Sequence, residues 1–260
     1  FLLKRMGTVA EKTTDVLRMQ VKQGLYEPEL FEFPFSTEID DSVVFSGKID
    51  RVDIYDGDDV YVKVIDYKSG NKKFSIRDIY TGQQLQLVAY LSAAVKKAGE
   101  DHPGRNIKVG GVYYYLINDR FVRDDESAAK KYRMSGLTGC DPEAVRAIDT
   151  SLKPGQSSMI AEIGFTKDKT LSSRSKAADQ REFEGLMNYT GKKIRSIAEE
   201  IRKGNVTISP QYEKADKNAC IYCDYKNICK FEPGKWGSDH NRLPEDMDED
   251  RIKEEIYGSN

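Results

Sequence analysis

Hydrophobic and polar residues alternate along three successive segments in the first quarter of the chain. Residues 31–37, 43–54 and 60–67 show the period of two that is typical of β-strands with one buried face. The turn-forming residues 56–59 separate the last two segments, so we expect these two strands to pair as an antiparallel hairpin. The pattern predicts a three-stranded meander.

Helical periodicity is clearest in residues 8–24, 81–97 and 177–203, where apolar side chains recur three and four positions apart. Residues 107–117 are rich in β-branched and aromatic residues and predict a further strand. A strand-strand-strand-helix-strand order indicates an α/β fold with a mixed central sheet flanked by helices.

Weaker patterns fill the rest of the chain. They predict short helices around Ala128 and at 142–148, a polar loop at 136–142, and a basic, serine-rich connector at 167–176. The acidic segment 236–260 has few apolar residues, and we expect it to form a surface helix or a disordered tail.

Length and composition limit the possible classes of protein. With 260 residues the chain can bury a sizeable core, and no apolar run approaches the roughly 20 residues of a membrane span. We therefore expect a cytoplasmic protein without a membrane partner. The net charge is −2, so any nucleic-acid contact has to be local. Because the chain begins with Phe1, we expect it to be part of a longer protein.

An acidic and a basic residue lie together on the third strand. Asp66 and Lys68 are two positions apart and therefore project from the same face. A two-residue hairpin loop would pair Asp50 with Ile65, whereas a three-residue loop would place Asp50 opposite Asp66. We favour the longer loop, with Gly57 supplying a left-handed residue.

Two carboxylates and a lysine suit metal-assisted phosphodiester hydrolysis. Carboxylate oxygens hold a divalent ion, and the lysine steadies the attacking water or the developing charge. The alternative for Asp66 and Lys68 is a solvated ion pair of little energetic consequence. Four basic residues near this strand could contact phosphates, although surface charges are usually only solvated: Lys63, Lys72, Lys73 and Arg77.

Three cysteines occur within ten positions, at Cys220, Cys223 and Cys229. In a cytoplasmic chain such spacing favours metal or iron–sulfur ligation over disulfides. The alternative is a set of buried apolar cysteines with one reactive thiol. A four-ligand site lacks a local fourth member; we interpret Cys140 as a free structural cysteine and place the fourth ligand outside this chain, with His240 as a weaker choice.

Five motifs in this order closely resemble the nuclease domain of the AddB family of helicase–nuclease subunits, in the RecB-like branch of the PD-(D/E)xK superfamily. The motifs are GKIDRVD (47–53), IDYKSG (65–70), QLVAY (86–90), ISPQY (208–212) and CIYCDYKNICKF (220–231). The resemblance covers nearly the whole chain and implies a RecB-like nuclease domain over 1–235, with its core at about 25–120.

The resemblance implies a role for each matching residue. The catalytic set comprises Asp50, Asp66, Lys68, Gln86 and Tyr90. Asp50 and Asp66, with the Tyr67 carbonyl, would bind Mg²⁺ or Mn²⁺, and Glu32 is a weaker candidate to approach the metal. Relatives also carry a metal-binding histidine before the core, and none stands in the first hundred residues here.

The same resemblance makes Cys220, Cys223 and Cys229 ligands of a [4Fe–4S] cluster that is incomplete in this chain. It implies a metal-dependent DNA exonuclease that cuts one unwound strand during processing of double-strand ends for recombinational repair. The partners would be DNA and an AddA-like helicase–nuclease subunit. Two rival interpretations are a free-standing RecB-like iron–sulfur nuclease and a catalytically idle DNA-end-binding module.

Overall fold

The computed structural model describes residues 2–40, 43–117, 132–214, 217–232 and 247–258. Helices and strands alternate along most of these ranges. The helices are α1 (Leu2–Gln23), α2 (Ile76–Tyr80), α3 (Leu85–Asp101), α4 (Pro142–Ile148), α5 (Gln180–Arg202), α6 (Lys226–Cys229) and α7 (Glu249–Tyr257). The strands are β1 (Glu27–Asp40), β2 (Val43–Asp56), β3 (Val60–Lys68), β4 (Ile107–Leu116), β5 (Ser135–Gly139), β6 (Ala177–Ala178), β7 (Tyr212–Lys214) and β8 (Lys217–Asn218).

The larger sheet contains strands β1 to β6 in chain order. Strands β1, β2 and β3 pair antiparallel, β3 and β4 pair parallel, β4 and β5 pair antiparallel, and β5 and β6 pair parallel. Helix α3 makes the crossover between the parallel strands β3 and β4. This mixed sheet confirms the predicted α/β class.

Two apolar layers enclose the sheet. One layer packs β2, β3 and β4 against α3, α5 and α7. The other layer lies on the opposite face, where α1 and α4 cover a tyrosine-rich surface. Both faces of the central strands are therefore buried, which explains the near-continuous burial of β3.

The β2–β3 hairpin has the longer of the two predicted loops. Asp56 pairs with Val60 and Arg51 pairs with Ile65, so three residues form the loop, and the same register brings Asp50 opposite Asp66. The expected left-handed Gly57 is wrong, because this glycine is not among the residues with positive φ. A Cβ at this position would require the Glu143 carboxylate to move and would press against the Tyr55 ring.

Several element boundaries in the structure differ from the predicted ones, because tertiary packing overrides the local sequence pattern. The expected polar loop at 136–142 is instead the buried strand β5 and the start of α4. The expected helix at 177–203 begins at Gln180, because Ala177–Ala178 joins the sheet edge and Asp179 forms a capping box with Glu182. The helix expected around Ala128 lies outside the described residues.

The C-terminal helix α7 belongs to the core, although its sequence is strongly acidic. Ile252 and Ile256 lie four positions apart on one helical face, and both are fully buried against α5 and α2. The expectation of a segment with little to bury is therefore wrong for this helix. In the described ranges, no helix is both long and apolar enough to span a bilayer.

Candidate active site

The end of strand β3 holds an ion pair on the face that α3 covers. The Nζ of Lys68 lies 2.6 Å from Oδ2 of Asp66. The Asp66 side chain is 2% exposed and the Lys68 side chain is 27% exposed, so the carboxylate is buried while the ammonium reaches the surface. A substrate can therefore approach this pair from the lysine side.

Asp50 joins the pair through the hairpin register. Its Oδ2 accepts a hydrogen bond of 2.8 Å from the backbone N–H of Tyr67, which follows Asp66 directly. The Tyr67 side chain points to the opposite face, where its ring packs edge-on against Tyr115 and its hydroxyl accepts a hydrogen bond from Arg51. Only the backbone of Tyr67 borders the site.

Helix α3 contributes the remaining two predicted residues. Gln86 accepts a hydrogen bond of 3.1 Å from Lys68 and donates one of 2.7 Å to the Tyr90 hydroxyl. These two residues are four apart and share one helical face. The Tyr90 ring is fixed edge-on against Phe35, with 5.5 Å between ring centroids. Gln86 thus contacts the lysine directly and Tyr90 contacts Gln86, while the catalytic role of both residues stays a prediction.

Burial controls the charge of this site. Desolvation raises the pKa of the Asp66 carboxyl, the nearby Lys68 ammonium opposes that rise, and the Asp50 carboxylate adds to it. The Tyr114 ring lies beside the pair, with the Lys68 Nζ 5.9 Å from its centroid. Burial and the Asp66 charge raise the pKa of Tyr114, so its hydroxyl stays neutral. Asp66 thus retains an unfavourable buried charge that a bound cation can offset.

The oxygen donors at the site fit a hard divalent cation. The Asp66 Oδ2 is completely buried and has an ion-pair neighbour but no hydrogen bond. Asp50 supplies a second carboxylate. Across the described ranges, no group of three or more His, Cys, Asp or Glu side chains gathers for a metal. Two carboxylates suit Mg²⁺, which usually keeps several water ligands.

A buried charge cluster on the opposite face was missed by the sequence prediction. Asp53 accepts hydrogen bonds of 2.5 and 2.7 Å from Arg51, and its Oδ2 lies 2.8 Å from Lys63. All three side chains are less than 10% exposed. The predicted contact of Lys63 with phosphates is therefore wrong. The sequence contained a signal for this cluster: positions 51, 53 and 63 are odd, and alternation along the strands places them on the face opposite Asp66.

Other predicted candidates lie away from the carboxylates. Glu32 forms an ion pair of 2.6 Å with Lys48, and its backbone is left-handed at φ 48°. Arg77 donates a hydrogen bond to the Met247 carbonyl. Lys73 is exposed, and Lys72 lies half-buried, with its Nζ 6.0 Å from the centroid of the Tyr114 ring. Lys72 is thus the member of the predicted basic set that borders the site.

The cysteine-rich segment follows the small β7–β8 hairpin. Cys220, Cys223 and Cys229 are free thiols on a turn and the short helix α6, and Cys223 and Cys229 are exposed. Cys140 is also free and exposed, at the end of β5. The iron–sulfur ligation of the first three stays a prediction, and His240 lies outside the described residues.

Comparison with known proteins identifies the family. Residues 1–230 match the model of the PD-(D/E)XK nuclease superfamily. The chain is also similar to bacterial proteins whose names describe them as one of the subunits of an ATP-dependent helicase/deoxyribonuclease. It is 36% identical to the protein of Lachnoclostridium phytofermentans over 244 residues, and 34% identical to that of Alkaliphilus metalliredigens over 277 residues.

These alignments cover 89% and 98% of this chain but 21% and 24% of the two relatives. The chain therefore spans about a quarter of their length, or less. The names of the relatives agree with the AddB resemblance that the motifs indicated. Together with the mixed sheet and the gathered Asp50, Asp66 and Lys68, the match over most of the sequence establishes the family. The chain belongs to the PD-(D/E)XK nuclease superfamily.

Proposed function

We propose that this chain is a divalent-metal-dependent deoxyribonuclease that cuts phosphodiester bonds of one unwound DNA strand from its end. The observation that carries the proposal is the convergence of Asp50, Asp66 and Lys68 at the end of β3. A structural ion pair alone would not require a second carboxylate, Asp50, beside Asp66 and Lys68 at a partly exposed site. Metal-assisted phosphodiester hydrolysis uses such a combination of carboxylate ligands and a cation.

The side chains divide the work between metal binding and charge stabilisation. Asp50 and Asp66, with the Tyr67 carbonyl, would hold Mg²⁺ or Mn²⁺. Such an ion polarises a phosphate and lowers the pKa of a bound water. Lys68 presents its ammonium toward solvent, where it can donate to the attacking water or to the phosphate oxygens. Gln86, itself bound to Tyr90, restrains the lysine in that position.

The names of the relatives support a place for this nuclease in a helicase–nuclease that processes double-strand DNA ends for recombinational repair. We propose an AddA-like helicase–nuclease as its protein partner. A [4Fe–4S] cluster bound in part by Cys220, Cys223 and Cys229 would stabilise the domain, with its fourth ligand outside this chain.

The test is degradation of end-labelled single-stranded DNA by the full-length protein with Mg²⁺ or Mn²⁺. We expect Asp66→Ala and Lys68→Ala each to lower the rate by about a hundredfold or more, because the first removes a metal ligand and the second removes the ammonium that stabilises charge at the reacting phosphate. Asp58→Ala is the matched control, since Asp58 is an exposed acidic residue in the loop of the same hairpin. Equal degradation by all variants would refute the site.

A circular single-stranded DNA tests the requirement for an end. An exonuclease leaves the circle intact and degrades its linear form under the same conditions. Cleavage of both forms at similar rates would overturn the exonuclease assignment while leaving nuclease activity in place.

A further inference from the structure

A polar pocket lies at the same end of the strands as the Asp50 and Asp66 carboxylates. Its volume is about 390 Å³. The side chains that matter are three cations, two serines and one acid: Arg133, Arg174, Lys176, Ser172, Ser175 and Glu162. This pocket includes part of the basic, serine-rich segment that the sequence predicted to be only a connector.

The pocket carries an excess of positive charge. Glu162 is paired with Lys176 at 2.9 Å, so it neutralises one of the three cations. Arg133 donates one hydrogen bond of 3.3 Å to the Ser158 carbonyl, while its Nε is buried without a hydrogen-bond partner among the described residues. The exposed guanidinium of Arg174 makes no ion pair or hydrogen bond within those residues. The Arg174 guanidinium therefore keeps its donors for an anion, and Arg133 adds a second positive charge to the pocket lining.

Backbone contacts hold this pocket in place. The hydroxyl of Ser175 accepts a hydrogen bond of 3.0 Å from the N–H of Gly164 and donates one of 3.1 Å to its carbonyl. The N–H of Lys176 donates to the Glu162 carbonyl at 2.8 Å, and the N–H of Ser175 donates to the Ser172 carbonyl. The cations thus stand on a hydrogen-bonded loop, which limits the entropy lost when an anion binds.

The strand register relates the pocket to the active site. Asp66 on β3 pairs with Tyr114 on β4, and Tyr114 pairs with Ser135 on β5. Ser135 lies about 10 Å from Asp66 if each strand spacing is about 4.8 Å. The Ser135 hydroxyl contacts both the Phe74 amide and the Glu162 carboxylate, each at 3.4 Å. The pocket therefore begins a short distance from Asp66, beside the neighbouring strands β4 and β5.

We propose that this pocket binds a backbone phosphate of the DNA strand, a few nucleotides from the bond that is cut. Guanidinium groups pair with phosphate oxygens in a bidentate manner, and the Ser172 hydroxyl, which accepts a hydrogen bond from the Arg174 N–H, keeps its own proton as a neutral donor. The formal net charge of −2 disfavours a general attraction to DNA, so a local pair of arginines matters more. The proposal rests on the proposed nuclease function and specifies how its substrate is held.

The experiment compares Arg174→Glu with Lys96→Glu in the full-length protein. Lys96 is an exposed lysine on α3, about 15 Å along the helix from Gln86, and its substitution makes the same change of charge. Both variants are first checked for unchanged thermal unfolding. Binding of a single-stranded oligonucleotide is then followed by fluorescence anisotropy without divalent metal, over a range of salt concentrations.

We expect Arg174→Glu to weaken binding about tenfold or more and to reduce the slope of log affinity against log salt by about one, because one phosphate contact is lost. In degradation assays, KM rises for a long oligonucleotide and kcat changes little. For a dinucleotide, which is too short to span from Asp66 to the pocket, the variant equals the wild type. Lys96→Glu leaves both substrates unaffected.

The outcomes separate this proposal from the nuclease assignment. Wild-type degradation with unchanged oligonucleotide binding by Arg174→Glu refutes the phosphate pocket and leaves the nuclease intact. Salt-dependent binding that Arg174→Glu weakens, in a wild type that cuts no DNA, refutes the nuclease and retains the pocket. An equal effect of Arg174→Glu on the dinucleotide and the long substrate also refutes the pocket.

Discussion

Asp53 lies between two buried cations on the face opposite the active site. It accepts two hydrogen bonds from Arg51 and pairs with Lys63, while its own side chain is completely buried. Burial lowers the pKa of the Lys63 ammonium, and the Asp53 charge counteracts that shift. Each buried charge of Asp53, Arg51 and Lys63 is therefore stabilised by its partners in the cluster.

We expect Asp53→Asn to lower the free energy of unfolding by about 3–5 kcal/mol, because it leaves two buried cations without a counter-charge. Urea unfolding followed by circular dichroism measures this loss. The matched control is Asp56→Asn on the same strand, whose ion pair with Arg105 is about half-exposed and is expected to contribute roughly 0–1 kcal/mol. Similar losses from both substitutions would contradict the assigned role of the cluster.

At the scale of single residues, the sequence predicted the placement of Asp50, Asp66 and Lys68 well and the burial of residues on the opposite face poorly. Alternation and the hairpin length were enough to bring Asp50, Asp66 and Lys68 together. Lys63 is buried because α1 and α4 cover the second face of the sheet. The local sequence of β3 does not indicate that these helices pack there. A lysine between apolar neighbours is compatible with either an exposed or a paired side chain.

Lys108 connects three elements at the end of the sheet opposite the active site. Its ammonium, at the start of β4, lies 2.6 Å from Asp59 in the β2–β3 loop and 3.1 Å from Asp141, the N-cap of α4. Hydrogen bonding with Lys108 lowers the pKa of Asp59. Burial opposes ionisation of Asp141, but Lys108 and the capped Glu143 amide still hold its pKa below the ordinary value.

A depressed carboxyl pKa contributes stability above the unfolded value near 3.8, and that stability is lost as the pH falls through the folded value. We therefore expect Lys108→Met to lower the thermal midpoint by a few degrees at about pH 7. The difference from wild type should be smaller at about pH 3, because these carboxyl groups are then largely protonated in the unfolded chain and the pH approaches their lowered folded-state pKa values. Thermal unfolding across this pH range measures it.

Lys96→Met is the control, because Lys96 is exposed on α3 and should change the midpoint little at either pH. A difference for Lys108→Met that persists unchanged under acid conditions would show that packing, such as the contact of Lys108 with the Tyr61 ring, dominates instead.

The order of the whole sheet was only partly accessible from sequence. The β1–β2–β3 meander followed from short connections, and the helix before the fourth strand predicted a mixed sheet, in which the structure pairs β4 parallel to β3. The pairing of β5 with β6 joins residues about 40 positions apart through two main-chain contacts. Gly136 permits close approach of β5 to the Tyr113 backbone. A glycine stands here because the two strands pack closely, and it does not mark the loop that the composition predicted.

The segment that contains Cys220, Cys223 and Cys229 carries several exposed apolar side chains. Apolar side chains around the thiols are exposed, with Tyr222 at 93% and Ile228 at 82%. Large exposed apolar groups clustered on one segment are typical of an interaction surface. We therefore predict that this segment, with the iron–sulfur cluster proposed above, packs against another protein surface.

We expect the full-length protein, purified without oxygen, to contain iron and acid-labile sulfide and to absorb visible light. Cys223→Ser should remove most of the iron, because a hydroxyl is a poor substitute for a thiolate ligand. Cys140→Ser is the matched control, since that exposed thiol is far along the chain from the other three and should leave the iron content unchanged. Zinc in place of iron, or equal loss from both substitutions, would rule out the cluster while leaving the carboxylate site at the end of β3 unaffected.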